Sequence, residues 1–473
     1  MFLKTGGVIS MEQFNNKKLI VFFSILRRIF PSDSVEERAL REKDRKFIEE
    51  GKLGDPVFHP VAYSNGKLNR EKILTGCCIF YQNKNIDPDD IRLISDAGFD
   101  FVLCESTGDF GNMVMEECEK NGLALLGSDN RIPHFRDFEE AVNTGAEYFK
   151  GYKYNPCKIG DRGRDEPCAQ QFPMLEKFRK LYQSVFPEKF LFYNLYPDGA
   201  GSKLLGAKNY HEYVEQYAKQ VNTDYICLDE YPFFSFTAIN RVLFSICLNT
   251  YDTVGDACRR YGRDFWIYIQ TQKNWFSTLY GNTTYEQILW QMYAALAYGA
   301  RSILHVSYAP VWGNLAEAMI DKDGNLTEQY LYSKRANEQL QKLSPILSHY
   351  CSLGVLPVNS DKNNAQLRMA FRKQRKASVK QGFRGIDAVK SISSQSSALA
   401  GYFKHKDSQG YGIMIVNCKD FYDHSASQTV KIELSKPMNT AVYKKGELIS
   451  KAKNSKSISI EIDSCAGVFL TLK

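Results

Sequence analysis

Tyr225-Ile226-Cys227-Leu228-Asp229-Glu230-Tyr231-Pro232 is a short apolar run that closes on two acids, an aromatic ring and a proline. It has the form of a buried strand carrying its polar groups at the carboxyl end, with the proline ending the strand. Seven more segments share this form: Gly76–Gln82, Phe99–Ser106, Leu123–Asn130, Lys158–Glu166, Lys189–Pro197, Phe265–Gln272 and Ser302–Pro310. Stretches of helical period separate them. Asp87-Pro88 opens one that stops at Gly98, and Thr284 to Ala300 forms another that ends at Gly299. Alternation of this kind calls for a parallel sheet. The strand starts lie about 23 to 41 residues apart over about 275 residues, close to the roughly 250 of a closed (β/α)8 barrel. An α/β TIM barrel over residues 61–353 is therefore expected. Its weakest strand is the fourth, where Gly160-Asp161-Arg162-Gly163-Arg164 is polar where Val and Ile would be usual.

Beyond Cys351 the pattern changes to short strands between polar turns: Gly401–Lys404, Gly412–Asn417, Thr429–Leu434, Thr440–Lys444, Ser457–Ile462 and Gly467–Leu472. Residues 354–473 are read as a basic linker and a small antiparallel β-sandwich. Gln366 to Lys390, with eight Lys or Arg and Asp387 as its one acid, is read as a solvated loop. Residues 1–60 are read as a leader, partly helical or disordered.

The whole chain of 473 residues is 44% hydrophobic and 24% charged, which is the profile of a folded globular protein. A formal charge of +7 is too dilute at this length to argue for nucleic acid or a membrane surface. No apolar run reaches the length of a membrane span. Leu19–Leu26, flanked by Lys17-Lys18 and Arg27-Arg28, is a weak signal-like stretch without a prompt cleavage site. A cytoplasmic location is expected, with secretion or anchoring through residues 19–26 as the alternative. The twelve cysteines show no C-x-x-C pair, so they read as small buried hydrophobes, and the seven histidines show no zinc spacing.

In a (β/α)8 barrel, reactive groups stand where the strands end. Those positions hold Glu105, Asp129, Asp165 with Glu166, Asn194 with Tyr196, Asp229 with Glu230, Gln270 with Gln272, and His305 with Tyr308. The acid doublets Asp165-Glu166-Pro167 and Asp229-Glu230 are the sharpest feature. Two carboxylates across a pocket divide acid and base or nucleophile roles, as glycosidic bond cleavage requires. Each proline is expected to hold the residue before it extended. The bland alternative is that an acid pairs with a neighbour such as Arg162 or caps a helix. Tyr231, Trp275 and Trp312 supply flat rings for a sugar face, while Trp290 reads as core.

The Asp-Glu-Pro after the fourth strand, the Tyr-Pro after the sixth, the Trp after the eighth and the terminal β domain together resemble clan A glycoside hydrolases, particularly the β-galactosidase-like members. The likeness runs from about Gly76 onward. It implies that Glu166 is the general acid/base, with Asp165 where the clan usually has Asn. It also implies a nucleophilic Glu at the end of strand seven, where this sequence offers only Gln270 and Gln272. The second carboxylate is then expected from strand six, as Glu230 or Asp229. Glu166 and Glu230 are accordingly the expected catalytic pair. Asp165, Asp229, Asn194, Tyr231, Gln270, Gln272, Trp275, His305 and Trp312 are the expected substrate contacts. The expected function is hydrolysis of O-glycosidic bonds in a neutral oligo- or polysaccharide, with no metal or cofactor. A catalytically silent carbohydrate-binding barrel is the alternative.

Overall fold

The structure is a computed structural model that describes residues 53–473 except 81–85, 130–131, 133–137, 153–154, 234–236, 274–282, 312–316, 360–364 and 422–424. The leader, the stretch 19–26, Trp275 and Trp312 lie outside the described residues.

Eight parallel strands form one sheet: β1 (Leu74–Cys78), β2 (Phe101–Glu105), β3 (Ala124–Ser128), β4 (Lys158–Asp165), β5 (Phe190–Asn194), β6 (Tyr225–Glu230), β7 (Asp264–Gln270) and β8 (Ala300–Val306). β8 pairs with both β1 and β7. The ring closes where Leu195 bridges Leu228 and the Leu195 N–H donates to the Cys227 carbonyl at 2.8 Å. This is the expected barrel, and all eight expected strands are in it. Phe101, Phe192, Tyr225 and Trp266 pack its interior. Helices α1 (Pro88–Asp96), α2 (Gly108–Lys120), α3 (Phe138–Thr144), α4 (Phe172–Val185), α5 (Tyr210–Gln220), α6 (Thr237–Tyr261), α7 (Tyr285–Ala297) and α8 (Glu328–Leu347) follow the strands in turn. Asp87 caps α1 in a reciprocal capping box with Asp90, and Thr284 does the same for α7 with Gln287, which explains where both helices start.

The polar fourth strand has a physical reason on each face. Outward, Lys158 and Asp161 form a fully buried ion pair at 2.8 Å, and the α4 phenol of Tyr182 donates to Asp161 at 2.7 Å. Toward the mouth, a register irregularity between Arg162 and Asp165 lets both side chains meet.

The C-terminal strands are β9 (Tyr350–Val358), β10 (Val389–Ser394), β11 (Ala398–His405), β12 (Tyr411–Asn417), β13 (Gln428–Lys444), β14 (Glu447–Ile462) and β15 (Gly467–Leu472). They form one curled antiparallel sheet, and β13 ties it together by pairing with β10 through its first half and β15 through its second. The expected strands Thr429–Leu434 and Thr440–Lys444 are thus halves of one strand. β9 and β10 are additions to the expected set. The basic segment is also corrected: Ala365–Lys380 is a helix, α9, with Leu367, Ala370, Phe371 and Ser378 buried beneath its exposed cations. Four residues are enough to seat a helical face that a count of charges hides.

Barrel and sheet share one core. Every residue of α7 from Gln287 to Ala297 is buried, and Leu399, Phe403, Met414 and Phe469 of the sheet join its cluster. The contact demands glycine. A Cβ on Gly401 would lie 2.3 Å from the Ala297 carbonyl oxygen, and one on Gly467 would lie 2.3 Å from the Tyr293 ring. Trp290, fully buried in α7, donates to Cys418 Sγ at 3.4 Å and meets Phe421 edge-on. Among the described residues no helix is long and apolar enough to cross a membrane.

Candidate active site

Adjacent residues of a strand face opposite ways, so each acid doublet is divided by the pleat. On β6, Tyr225 and Cys227 belong to the barrel interior, whereas Ile226 and Leu228 belong to the outer core. Asp229 follows the first pair inward. Glu230 follows the second and is buried against α6, where the Thr250 hydroxyl donates to its Oε2 at 2.8 Å. Burial raises the Glu230 pKa to about 8. The expected pair Glu166 and Glu230 is therefore not brought together.

Glu166 is instead gathered with Asp165, Asn194 and Asp229. The Asn194 amide donates to Asp229 Oδ1 at 2.9 Å and to Asp165 Oδ1 at 3.1 Å, joining β4, β5 and β6. Asn194 Oδ1 itself is buried with no hydrogen-bond partner among the described residues. Arg162 holds Asp165 at 2.6 Å and lies over the Phe80 ring. This is the ion pair that the bland reading assigned to that acid. Burial, then the charges of Asp229 and Asp165, push the Glu166 carboxyl well above the ordinary range. Burial and then Asp165 push Asp229 up to about 7, against hydrogen bonds from Asn194 and Tyr231. Asp165 is paired with Arg162 yet still acts on both neighbours, so Asp229 and Glu166 titrate against one another and against it.

The backbone at Glu166 departs from expectation. Its φ of 44° lies in the left-handed region rather than the extended one, despite Pro167. Its N–H donates to the Asn194 carbonyl at 2.8 Å, which fixes this turn to β5. A non-glycine residue held there carries about 1–3 kcal/mol of strain, a feature that clusters at functional sites. Tyr196 stands beside the group, its phenol raised to about 12 by burial and then by Glu166 and Asp165.

The remaining expected contacts go elsewhere. Gln270 is fully buried and clips the chain after β6, donating from Nε2 to the Phe233 carbonyl at 2.8 Å and accepting the Phe233 N–H at 2.9 Å. Gln272 does likewise after β8: its Nε2 donates to the Val311 carbonyl at 2.7 Å, and its Oε1 accepts from Ser307 and from the Val311 N–H. His305 turns outward to Ser333 of α8 at 3.1 Å, and burial lowers its pKa to about 3, leaving it a neutral core residue. Glu105 accepts the Ser106 and Thr107 N–H groups, and the Tyr308 hydroxyl donates to Asp90. Sequence reasoning left out Tyr268, a buried inward residue of β7 that hydrogen-bonds Cys78 and faces Arg162 and Asp165. Its place two residues after Trp266 on an inward row was the signal. Among the described residues no His, Cys, Asp and Glu cluster suits a metal ion.

No family model and no curated protein matches the chain. Solved structures do. A family 42 β-galactosidase from G. stearothermophilus superposes with a TM-score of 0.55 at 9% identity, over 87% of this chain and 100% of that one. A family 5 glycoside hydrolase from Bacteroides vulgatus gives 0.52 at 11% identity, over 85% and 89% of the two chains. A further glycoside hydrolase gives 0.50 at 9% identity, over 89% and 97%. The chain thus has the fold of glycoside hydrolases of the clan A type, barrel and β domain together. At these identities the likeness is one of fold.

Proposed function

We propose that the protein is a glycoside hydrolase in which Glu166 is the general acid/base and Asp229 the partner carboxylate. The observation that carries this reading is the arrangement at the ends of β4, β5 and β6: a Glu whose pKa is raised in part by the charge of Asp229, with Asn194 joining the flanking strands. Glu166, its pKa raised by burial and by the neighbouring acids, donates its proton to the leaving oxygen. Ionised Asp229 stabilises or attacks the anomeric carbon, or aligns a water that does. Arg162, paired with Asp165 at 2.6 Å, offsets part of the negative charge gathered there. The substrate is a carbohydrate, and Tyr196, Tyr231 and Phe80 offer rings for its apolar face.

Glu166→Gln tests the assignment. Turnover of glycosides with poor leaving groups should fall by about 10²–10⁴-fold, with a much smaller loss on activated aryl glycosides that need no proton. Equal losses on both remove Glu166 from the acid role. A second reading, the silent carbohydrate-binding barrel, is favoured by one observation: Gln270 ends β7 with its amide tied to Phe233. It becomes the better reading if wild-type protein binds oligosaccharides yet hydrolyses none of a broad glycoside panel.

A further inference from the structure

At the end of the barrel opposite the carboxylates, a cavity of about 410 Å³ opens between the starts of β7 and β8, the ends of α6 and α7, and the first residues of β9. Arg70, Arg259, Arg263, Arg301 and Lys406 line it, with Asp264 the only acid in the lining. Two of these cations are already committed. Arg70 pairs with Asp264 at 2.7 Å and Asp224 at 2.9 Å. Arg263 donates to the Val221 and Ala218 carbonyls at the end of α5.

The other three are held less firmly. Arg301 makes no ion pair among the described residues and donates only to the Ser348 and Arg70 carbonyls, each at a long 3.3 Å. Arg259 pairs loosely with Asp256 at 3.8 Å, a carboxylate that Arg260 already holds at 2.8 Å, and Asp252 acts on it as well; its Nη1 is buried with no hydrogen-bond partner among the described residues. Lys406 stands exposed at the rim. A guanidinium partly withdrawn from water without a close counter-ion is disfavoured, and an anion in the cavity would offset that cost.

The volume falls within the range of small-molecule sites and exceeds what a bare oxyanion fills. Tyr350 and Phe403, both buried, supply ring surface on the same wall. From these observations we infer that the cavity binds a small phosphate monoester, its dianionic head on Arg301 and Arg259 and its ring-sized body against Tyr350 and Phe403. Planar guanidinium groups suit such a head because they present paired donors to its oxygens. The ligand would join barrel to sheet, since Lys406 follows β11 while the arginines belong to the barrel. Nothing in this inference depends on the hydrolase reading.

Phenyl phosphate is a direct probe, with phenol, phenyl sulfate and sodium chloride at equal ionic strength as controls. Cys351 lies exposed in the lining and reports occupancy through its rate of modification by Ellman's reagent, a signal identified by its loss in Cys351→Ser. Phenyl phosphate should slow that reaction and raise the melting midpoint by about 2 °C or more at saturation. Arg301→Met, or the exposed Lys406→Glu, should weaken both effects by about tenfold in ligand concentration. Lys406→Glu decides if the arginine variant fails to fold. The inference is overturned if phenyl phosphate does no more than sodium chloride, or if Lys406→Glu binds as wild type does. Equal protection by phenyl sulfate overturns the assignment of a phosphate head.

Discussion

On the β4–β6 side of the barrel mouth, Asp165, Asn194 and Asp229 direct their polar atoms at one another, and the charges of the two acids act on Glu166. On the β7–β8 side, Gln270, Gln272 and His305 direct theirs at backbone groups and Ser333. Both arcs consist of polar residues at strand ends, and both are largely buried. The difference lies in what satisfies them. A side chain paired to backbone holds a loop in place and has little hydrogen-bonding capacity left for a ligand. Carboxylates gathered around one amide leave charge unresolved, and the raised pKa values of Glu166 and Asp229 record it.

The largest expected effect tests the reactive arc. Asp229→Asn keeps the shape of the site and its contact with Asn194 but removes the ionisable group. Turnover should fall by about 10³-fold or more on good and poor leaving groups alike, while calorimetry shows oligosaccharide still bound. Activity surviving within tenfold would mean that the β4–β6 arc is no more reactive than its opposite.

The structural arc is tested by Gln270→Ala. It removes two hydrogen bonds to Phe233 and leaves a buried N–H and carbonyl short of those partners. A loss of about 2–4 kcal/mol in unfolding free energy is expected from denaturant titration. An unchanged midpoint with impaired sugar binding would reverse the assignment and return Gln270 to the substrate.

The barrel was legible because its signal repeats: eight short runs alternate with helical stretches, and Asp87-Pro88 and Thr284 mark two helix starts plainly. Which acid of a doublet faces inward was not legible. Tyr225 and Cys227 are as buried as Ile226 and Leu228, since a barrel strand is covered on both faces and neither set is marked by solvent exposure. The roles of Gln270 and Gln272 were hidden for another reason. Their partners are backbone groups of Phe233 and Val311, and a backbone contact leaves no mark on residue identity. Helix α9 was obscured by its own charge, because six cations in 16 residues outweigh the few apolar residues that seat it.

The smallest effect on activity, and the sharpest division between neighbours, is expected at Glu230. It adjoins Asp229 in sequence yet sits behind the strand on Thr250. Glu230→Gln should keep turnover within a few-fold of wild type, because a neutral amide can still accept that hydroxyl. Its effect belongs to stability and has a defined sign. The folded pKa of about 8 exceeds the ordinary 4.5, so between those values the native state binds a proton that the unfolded chain releases. This group's contribution is full below pH 4.5 and is lost as pH rises toward 8. Replacing it with Gln should flatten that slope, leaving the variant relatively more stable than wild type above pH 8. Thermal unfolding across pH 5 to 9 reads this out. A variant that loses turnover at all pH values, with its stability slope intact, would put Glu230 in the pocket and Asp229 outside the reaction.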